Sequence, residues 1–257
     1  MNKQKSKKII GVSTPLGTNV IYYRNPVLVA WWSAAFPGFG HILLGQYIKG
    51  GLLFIWEIFV NIHSHLNLGL IYTLQGDFER TKAVLDPLWI LMYIPLFLFT
   101  IWDSYHEAVN LNRYIPLINP TKGKIKQKRI NAIGRNFLTE KNPFMALFWS
   151  MFFPGTGQFY LHRLFESVLL SFWFIVISHY SRFHQGLLYL IMGDIDRSNQ
   201  SFQADWFMFL PSLFCFSAFN AFTDAVESTF LYRNTELAEL ELDYQNPHFK
   251  VNFPSQS

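Results

Sequence analysis

Long stretches without charged residues divide this chain. Six of them contain no Asp, Glu, Lys or Arg, and they are Asn25–Ile48, Ile58–Gly76, Pro87–Trp102, Asn142–His162, Ser167–Ser181 and Trp206–Thr223. A helix that crosses a bilayer needs about 20 mostly apolar residues. The pattern therefore predicts an all-α integral membrane protein in which apolar helices alternate with polar connections.

The chain also repeats itself, with Pro37 matching Pro154 in a register of 117 positions. The longest match sets Phe36-Pro37-Gly38-Phe39-Gly40-His41 against Phe153-Pro154-Gly155-Thr156-Gly157-Gln158. Further matches in the same register are Asn25-Pro26 with Asn142-Pro143, Trp56 with Trp173, and Trp89 with Trp206. So many spaced identities predict two tandem homologous modules, as in membrane proteins built from internal repeats. We place them at residues 25–112 and 142–233.

Each module has the same predicted order of elements. A short re-entrant or interfacial helix (Val27–Phe36; Phe144–Phe153) leads into a Pro-Gly-x-Gly turn. Two spanning helices follow, with a polar-aromatic loop between them. Their predicted positions are Gly50–Ile62 and Pro87–Glu107 in the first module, and Ser167–Ser178 and Asp205–Asp224 in the second.

The distribution of Lys and Arg predicts the topology, because positive charge is retained on the cytoplasmic side. The tail, residues 1–24, has five such residues and no acid, and the linker, residues 113–141, has eight against one acid. We therefore expect the tail, the linker and the C-terminal tail, residues 234–257, to be cytoplasmic. Module one must then cross the membrane an even number of times. Three crossings per module would invert module two, whereas two crossings and a re-entrant first helix keep the modules parallel, which we favour.

Composition limits the function classes. Charged residues make up only 15% of the chain, against roughly 25% in an ordinary soluble domain. A single cysteine, Cys215, excludes a disulfide framework and a cysteine-rich zinc site. The basic linker is expected to lie at the anionic inner leaflet. No nucleic acid partner is expected, because the basic residues form no folded domain.

Several polar residues within the apolar stretches are candidates for an intramembrane site. Glu57 has an apolar counterpart, Phe174, in module two, and it is either a proton or ligand site or a hydrogen-bonded structural acid. Asp103 and Glu107 lie one helical turn apart, and Asp224 matches Glu107. Pairing of these acids with basic residues at the cytoplasmic helix ends is the structural alternative. The candidate residues are Glu57, His63, Asp103, Glu107 and Asp224.

The turn residues form a second candidate set. Backbone groups at such a break cannot complete helical hydrogen bonds, so the turn must pack within protein or face water. These residues are Pro37, Gly38, Gly40, His41, Pro154, Gly155, Gly157 and Gln158. No catalytic motif is present, and we expect neither a metal nor a cofactor, because His63 and His65 have no evident third ligand.

The two turn segments resemble a recurrent bacterial membrane motif, P-G-x-G-[QH]-x-Y-x-G. It is similar to that of the small two-transmembrane-helix domain family, in which a later Trp-Asp pair resembles Trp102-Asp103. It also resembles the N-terminal membrane extension of sugar ABC permeases from Gram-positive bacteria. These extensions end with a helix that contains an Asp-Ala pair, and Asp224-Ala225 is similar. The permease core needs an E-A-A-x-x-x-G loop, and Glu107-Ala108-Val109 lacks the second alanine. The resemblance implies an accessory module rather than the pore of an importer.

The expected function is therefore that of a non-enzymatic, multi-pass protein of the bacterial cytoplasmic membrane. It would serve as an accessory or assembly partner of a transport system, for which the resemblance implies a sugar ABC system, and bind a membrane protein or a second copy of itself. A small transporter with its site at the module interface is the alternative. An intramembrane lipid-modifying enzyme is a third hypothesis, which would need a converging polar cluster in a cavity.

Overall fold

The computed structural model describes residues 10–14, 17–115, 128–131, 134–137 and 139–244. Most of the described residues are helical, as the sequence predicts. Much of the predicted basic tail and linker lies outside the described residues, as do residues 245–257. The lysines of the predicted tail and linker that lie outside the described residues are Lys3, Lys5, Lys7, Lys8, Lys122, Lys124 and Lys126.

The first half of the chain begins with an antiparallel hairpin in which Thr14 pairs with Gly17. Its elements are β1 (Ile10–Thr14), β2 (Gly17–Ile21), α1 (Pro26–Ala35), α2 (Phe39–Leu43), α3 (Tyr47–Ser64), α4 (Leu66–Leu74), α5 (Phe78–Val84) and α6 (Pro87–Tyr114).

The second half begins with a similar hairpin in which Asn131 pairs with Gly134. Its elements are β3 (Lys128–Asn131), β4 (Gly134–Phe137), α7 (Pro143–Phe152), α8 (Thr156–Tyr160), α9 (Leu164–Tyr180), α10 (Phe183–Ile191), α11 (Ile195–Ser201), α12 (Ala204–Phe207) and α13 (Phe209–Tyr244). Helices α7, α8, α10 and α11 begin and end 117 positions after α1, α2, α4 and α5. Helix α13 continues through residues 234–244, which the sequence assigned to the C-terminal tail.

Asparagine and proline start the first helix of each half in the same way. The side chain of Asn25 accepts a hydrogen bond from the backbone N–H of Val27, and that of Asn142 accepts one from Phe144. Pro26 and Pro143 occupy the first helical position, where a missing N–H costs nothing. Both helices stop before the turn, where Gly38 (φ 103°) and Gly155 (φ 102°) adopt the left-handed conformation that favours glycine.

The segments predicted as polar-aromatic loops fold as short helices instead. In the first half, Gly76 (φ 78°) separates α4 from α5, and the carboxylate of Asp77 accepts a hydrogen bond from the N–H of Arg80. Asp194 and Arg197 repeat this cap at the start of α11. The polar composition of these segments reflects helix caps and exposed faces rather than an irregular chain.

Contacts along α6 define two ends of the molecule. The side-chain amide of Asn112 donates to the carbonyl of Arg24 (2.7 Å), and the side chain of Gln46 donates to Glu107 (2.9 Å). The segment 24–46, which contains α1 and α2, therefore begins and ends beside the C-terminal part of α6, which we call the linker end. The start of α6 lies at the opposite, far end, where the N–H of Asp86 bonds to the carbonyl of Ser64 (3.2 Å).

The same contacts recur in the second half. The N–H of Lys141 bonds to the hydroxyl of Thr229 (3.0 Å) at the linker end, and the N–H of Gln203 bonds to the carbonyl of Ser181 (3.1 Å) at the far end. Arg163 forms an ion pair with Asp224. Residues 141–163 therefore also begin and end at one end of their half.

The two halves lie side by side and point the same way. The rings of Tyr47 and Phe165, at the starts of α3 and α9, have centroids 5.1 Å apart. Near the middle of the two helices, Phe54 stacks on Trp173 with ring centroids 4.7 Å apart. At the far end, Nδ1 of His65 lies 3.2 Å from a carboxylate oxygen of Asp205.

An aromatic core fills the space between the halves. Phe36, Phe39, Phe54 and Phe216 are each at most 3% exposed. Phe39 and Phe216, from opposite halves, stack with centroids 4.0 Å apart and planes inclined by 8°. Trp32 packs edge-on against Phe216. Such rings contribute both buried area and specific geometry to the interface.

Two helices among the described residues are long and apolar enough to cross a membrane, namely Pro87–Tyr114 and Ala204–Arg233. A third is found if α9 and α10, which are bent by 68° at their junction, are taken as one broken span. The sequence predicted four spans. Helix α3 has the length of a span, but Lys49, Glu57 and Asn61 lower its mean hydropathy.

We predict that Gly40→Ala destabilises the protein by about 1–3 kcal/mol, the usual cost of overpacking. A Cβ at residue 40 would lie 2.3 Å from the hydroxyl of Ser33 and 2.5 Å from the carbonyl of Val29. Gly51→Ala is the matched control, since its Cβ would meet only Leu169, at 4.0 Å. Denaturant titration of the purified protein in detergent measures the effect, and equal stability of the two variants would contradict the packing of α2 described above.

Candidate functional site

A cluster of polar side chains lies at the linker end of the first half. We call it the first polar cluster, and it consists of His41, Gln46, Lys49, Asp103 and Glu107. Nε2 of His41 lies 2.7 Å from Oδ2 of Asp103, and the ring is fully buried. The ammonium of Lys49 pairs with Asp103 and lies 3.9 Å from Glu107. Since a carboxylate only accepts, Nε2 of His41 carries the proton in this contact.

The turn between α1 and α2 makes this geometry possible. Gly38, in its left-handed conformation, lets the chain reverse, and Gly40 lets α2 approach α1 and α6 closely. Pro37 ends α1, because proline disfavours a helical conformation in the residue before it. The turn therefore places His41 against α6 and brings Lys49, in α3, opposite Asp103.

A second polar cluster lies at the equivalent place in the second half, and it consists of Arg24, Arg163, Glu166, Asn220 and Asp224. The guanidinium of Arg24 donates to Asp224 (3.0 Å), and Arg163 pairs with both Asp224 and Glu166. The side-chain amide of Asn220 donates to Glu166. Glu166 and Asp224 are 1% and 4% exposed, so these carboxylates depend on their partners rather than on water.

The two clusters use the same four positions with different charges. Lys49 contacts Asp103 in the first half, and Glu166 contacts Asn220 in the second. Gln46 contacts Glu107 in the first half, and Arg163 contacts Asp224 in the second. Each set of four holds one cation and two carboxylates. The cation is Lys49 in the first half and Arg163 in the second, and Arg163 matches Gln46, about one helical turn before Lys49. The second cluster gains a further cation, Arg24, which comes from the first half of the chain.

Tyr22 contacts both Arg24 and Asp224 of the second cluster. Its hydroxyl donates to Asp224 (3.2 Å), and the guanidinium of Arg24 lies 4.1 Å from the centre of its ring. Burial raises the pKa of the Tyr22 phenol to about 12, although Arg24 and Arg163 act in the opposite direction. Burial lowers the pKa of Arg24, and Tyr22 offsets part of this effect.

The turn of the second half is anchored by hydrogen bonds rather than by charge. The side chain of Gln158, which matches His41, donates to the carbonyl of Ser217 (3.0 Å). The N–H of Gly155 donates to the hydroxyl of Ser217 (3.0 Å). Pro154 accepts from the hydroxyl of Ser171 through its carbonyl, and Gly157 contacts α7 and α13 closely. Both turns are therefore packed within the protein, as the sequence predicts for a backbone that leaves helical geometry.

The remaining candidate residues lie apart from the two clusters. Glu57 is 4% exposed in the middle of α3, where Asn61 and Tyr93 each donate to its Oε1 (3.3 Å). Its Oε2 has no hydrogen-bond partner among the described residues. His63 lies near the far end, where its ring packs against Trp89 at 4.9 Å. The structure thus brings Asp103 and Glu107 together and leaves Glu57, His63 and Asp224 at three other places.

Sequence reasoning missed the cations that complete the clusters, namely Arg24, Lys49 and Arg163, together with Glu166. All of them flank or interrupt apolar stretches, where a search for charge-free segments treats them as boundaries. The repeat register pairs Lys49 with Glu166 and Gln46 with Arg163. These charge exchanges at matching positions could have identified Lys49, Arg163 and Glu166 from the sequence.

A groove of about 620 Å³ opens beside the first polar cluster. Gln46, Lys49 and Glu107 form its polar side, and Tyr47 and Phe165 form part of its wall. No group of three or more His, Cys, Asp or Glu side chains is placed to hold a metal ion within the part of the chain that the structure describes. The groove offers the ammonium of Lys49, the amide of Gln46 and the carboxylate of Glu107 to a hydrogen-bonding group.

We predict that Asp224→Asn lowers the free energy of unfolding by about 3–5 kcal/mol, the usual effect of removing one partner of a buried ion pair. Arg24 and Arg163 would then lose the carboxylate that they share. Glu79→Gln is the control, because the side chain of Glu79 is 88% exposed where it pairs with Lys82. Unfolding in detergent should leave the control unchanged, and an equally stable Asp224→Asn variant would show that the second cluster is not needed for the fold.

The linker end combines two glycine turns with two sets of paired charges, and each set lies between the segment that follows the turn and a long helix, α6 or α13. No family model, no curated protein and no solved structure matches this chain.

Proposed function

We propose that the chain is a multi-pass protein of the bacterial cytoplasmic membrane, built from two tandem copies of one module. The helix bounds that recur after 117 positions support this proposal. All residues with positive φ also fall into pairs in this register, within the described residues. The pairs are Gly38 with Gly155, Gly45 with His162, His65 with Arg182, and Gly76 with Gly193.

In each module the short first helix and its turn form a re-entrant hairpin. Helix α1 has 10 residues, or about 15 Å at 1.5 Å per residue, which is half of a hydrocarbon core of about 30 Å. Both ends of the hairpin contact the linker end of α6, through Arg24 and Gln46. Helices α3 and α6 then provide the two crossings, so the modules stand parallel and the linker returns to the side of the tail. The basic residues of that side face the cytoplasm and the anionic inner leaflet.

We further propose that the protein is not an enzyme but an assembly partner of another membrane protein. The observation that carries this proposal is the aromatic core between the halves, where Phe39 of one half stacks on Phe216 of the other. This interface is closed by packing, and the buried charges at the linker end pair with one another. Both features favour a structural scaffold over a pathway for a solute. The resemblance of the turns to the accessory module of sugar permeases supports a transport system as the partner.

The exposed side of α6 is the surface that we assign to the partner. Only 11% of its most apolar 18-residue window is buried, whereas the value for Ala204–Arg233 is 44%. Large apolar side chains recur on this side at helical spacing, and they are Leu88, Leu91, Met92, Leu98, Phe99 and Trp102. A helix of the partner would pack against this side of α6 in the bilayer.

A small transporter is the second candidate, and Glu57 is the observation that favours it. An ionisable group in an apolar helix usually faces a partner or a water-filled cavity. Oε2 of Glu57 has no hydrogen-bond partner among the residues that the structure describes. Glu57 would then be a proton-carrying or solute-binding group between α3 and α6.

We predict that in-cell crosslinking followed by affinity purification recovers one membrane protein in a fixed ratio to this chain. The double variant Leu91→Ala and Leu98→Ala should lower that recovery by about tenfold, because a loss of about 1.4 kcal/mol corresponds to that factor. Phe172→Ala, at an exposed site on α9, is the control and should leave recovery unchanged.

Recovery of the chain alone, or a double variant that binds the partner as well as the control does, would contradict the assembly role. Recovery of a second copy of this chain in a fixed ratio would show that the surface on α6 mediates self-association instead.

A further inference from the structure

A second groove lies at the far end of the second half and is separate from the two polar clusters. Its volume is about 720 Å³, within the range of small-ligand sites. Its lining contains no Asp or Glu, and the residues are Ser178, His179, Tyr180, Arg182, His184, Gln185, Gln203 and Trp206. The groove therefore offers cationic and neutral polar groups without a competing carboxylate.

The N-terminus of α10 opens into this groove. Arg182 is the N-cap residue, and its left-handed backbone (φ 55°) leaves the helix without a side-chain cap. The hydrogen bonds within α10 begin at Gly186, whose N–H donates to the carbonyl of Arg182 (3.1 Å). The N–H groups of the first turn, among them those of His184 and Gln185, have no acceptor within the helix, and both residues line the groove. Helix N-termini attract anions through such groups and through the helix dipole.

The first half shows what occupies the equivalent place. There the N–H of Asn67 donates to the side chain of Asn61 (3.3 Å), and the N–H of Leu68 donates to the carboxylate of Asp205 (3.1 Å). The other oxygen of Asp205 lies 3.2 Å from Nδ1 of His65. The start of α4 is thus capped by a carboxylate that comes from the other half of the chain.

In the second half, α10 starts in the same way as α4, after a residue with a left-handed backbone, but no carboxylate of the described residues caps it. In the register of 117 positions, Ser178 takes the place of Asn61 and Arg182 takes the place of His65. Ser178 is 1% exposed and lines the groove, yet its hydroxyl has no hydrogen-bond partner among the described residues. A buried, unpaired hydroxyl costs free energy unless a ligand or water satisfies it. Arg182 likewise forms no ion pair within the part of the chain that the structure describes.

We propose that this groove binds a phosphate oxyanion, held by Arg182, the first N–H groups of α10 and the hydroxyl of Ser178. His179 and His184 add further donors at the rim. The rings of Tyr180 and Trp206 stack at 4.6 Å beside the site, and such residues are typical of the membrane interface. The phosphate of a phospholipid headgroup and free inorganic phosphate share the required chemistry. This site does not depend on the assembly role proposed above.

The test uses the full chain purified in detergent and two probes. Native mass spectrometry compares the retention of phosphatidylglycerol with that of a diacylglycerol with the same acyl chains, which lacks phosphate. Equilibrium dialysis measures the binding of radiolabelled inorganic phosphate. Preferential retention of the phospholipid assigns the source to the membrane, whereas binding of inorganic phosphate alone assigns it to solution.

Two variants and a control test the assignment. Arg182→Gln should weaken binding of the effective probe by about tenfold, as expected for one charge-assisted contact. Ser178→Ala keeps the charge and should weaken binding by a smaller factor, and it remains informative if Arg182→Gln fails to fold. Arg197→Gln is the matched control, because it removes the same charge from the neighbouring α11, where Arg197 is exposed and pairs with Asp194. Binding should be unchanged in this control.

Three results would overturn the proposal. The first is that neither probe binds, and the second is that Arg182→Gln and Arg197→Gln have equal effects. The third is that a photocrosslinker at residue 182 captures an acidic segment of a protein in cells, because the groove would then take a carboxylate from a partner, as α4 takes Asp205.

Discussion

In each half, one cation near the start of the first long helix lies between two carboxylates, and this contact ties that helix to the last long helix of the half. Lys49 meets Asp103 and Glu107 across α3 and α6. Arg163 meets Glu166 and Asp224 in the second half. Glu166 and Asp224 are nearly inaccessible to water, and buried carboxylates of this kind depend on paired cations, so the pairing holds the start of α9 beside α13. The start of α3 is held beside α6 in the same way, through Lys49 and Asp103.

The second cluster also joins the halves, because Arg24 precedes α1 but pairs with Asp224 of α13. At the far end the joining group is Asp205, which bonds to His65 and caps α4. The aromatic core lies between these two polar contacts and excludes water from the interface. The charged contacts thus join the two ends of the halves, and the packed rings fill the interface between them.

The sequence predicted the features that local rules determine. The breaks at Pro37 and Pro154 and the apolar lengths of α6 and α13 follow from proline geometry and hydropathy, whereas the first helix of each half begins one residue earlier than predicted, at Pro26 and Pro143. The short helix α5 was missed because it begins at a side-chain cap, Asp77, in a polar segment. Helix α4 is apolar, and it was missed because the left-handed backbone of His65 separates it from α3.

The partners of the candidate acids could not be predicted in the same way. Asp103 and Glu107 were identified, but pairing with Lys49 depends on how closely α3 approaches α6, which is a property of the folded chain. The exchange of Lys49 for Glu166 was visible in the repeat register, but its meaning required the contact with Asn220. Glu57 was recognised as buried, whereas its donors Asn61 and Tyr93 became known only from the structure.

The orientation of the two halves is tested most directly by cysteine labelling in intact cells, in a chain carrying Cys215→Ser. An impermeant maleimide should label Gln75→Cys and Gln200→Cys, at the far end of each half, from the outside. Tyr23→Cys and Thr139→Cys, at the linker end, should react only after the membrane is opened. Labelling of Tyr23→Cys and Thr139→Cys from opposite sides would mean an odd number of crossings in the first half. This result would contradict the proposal that the first helix of each module re-enters the membrane and that the modules are parallel.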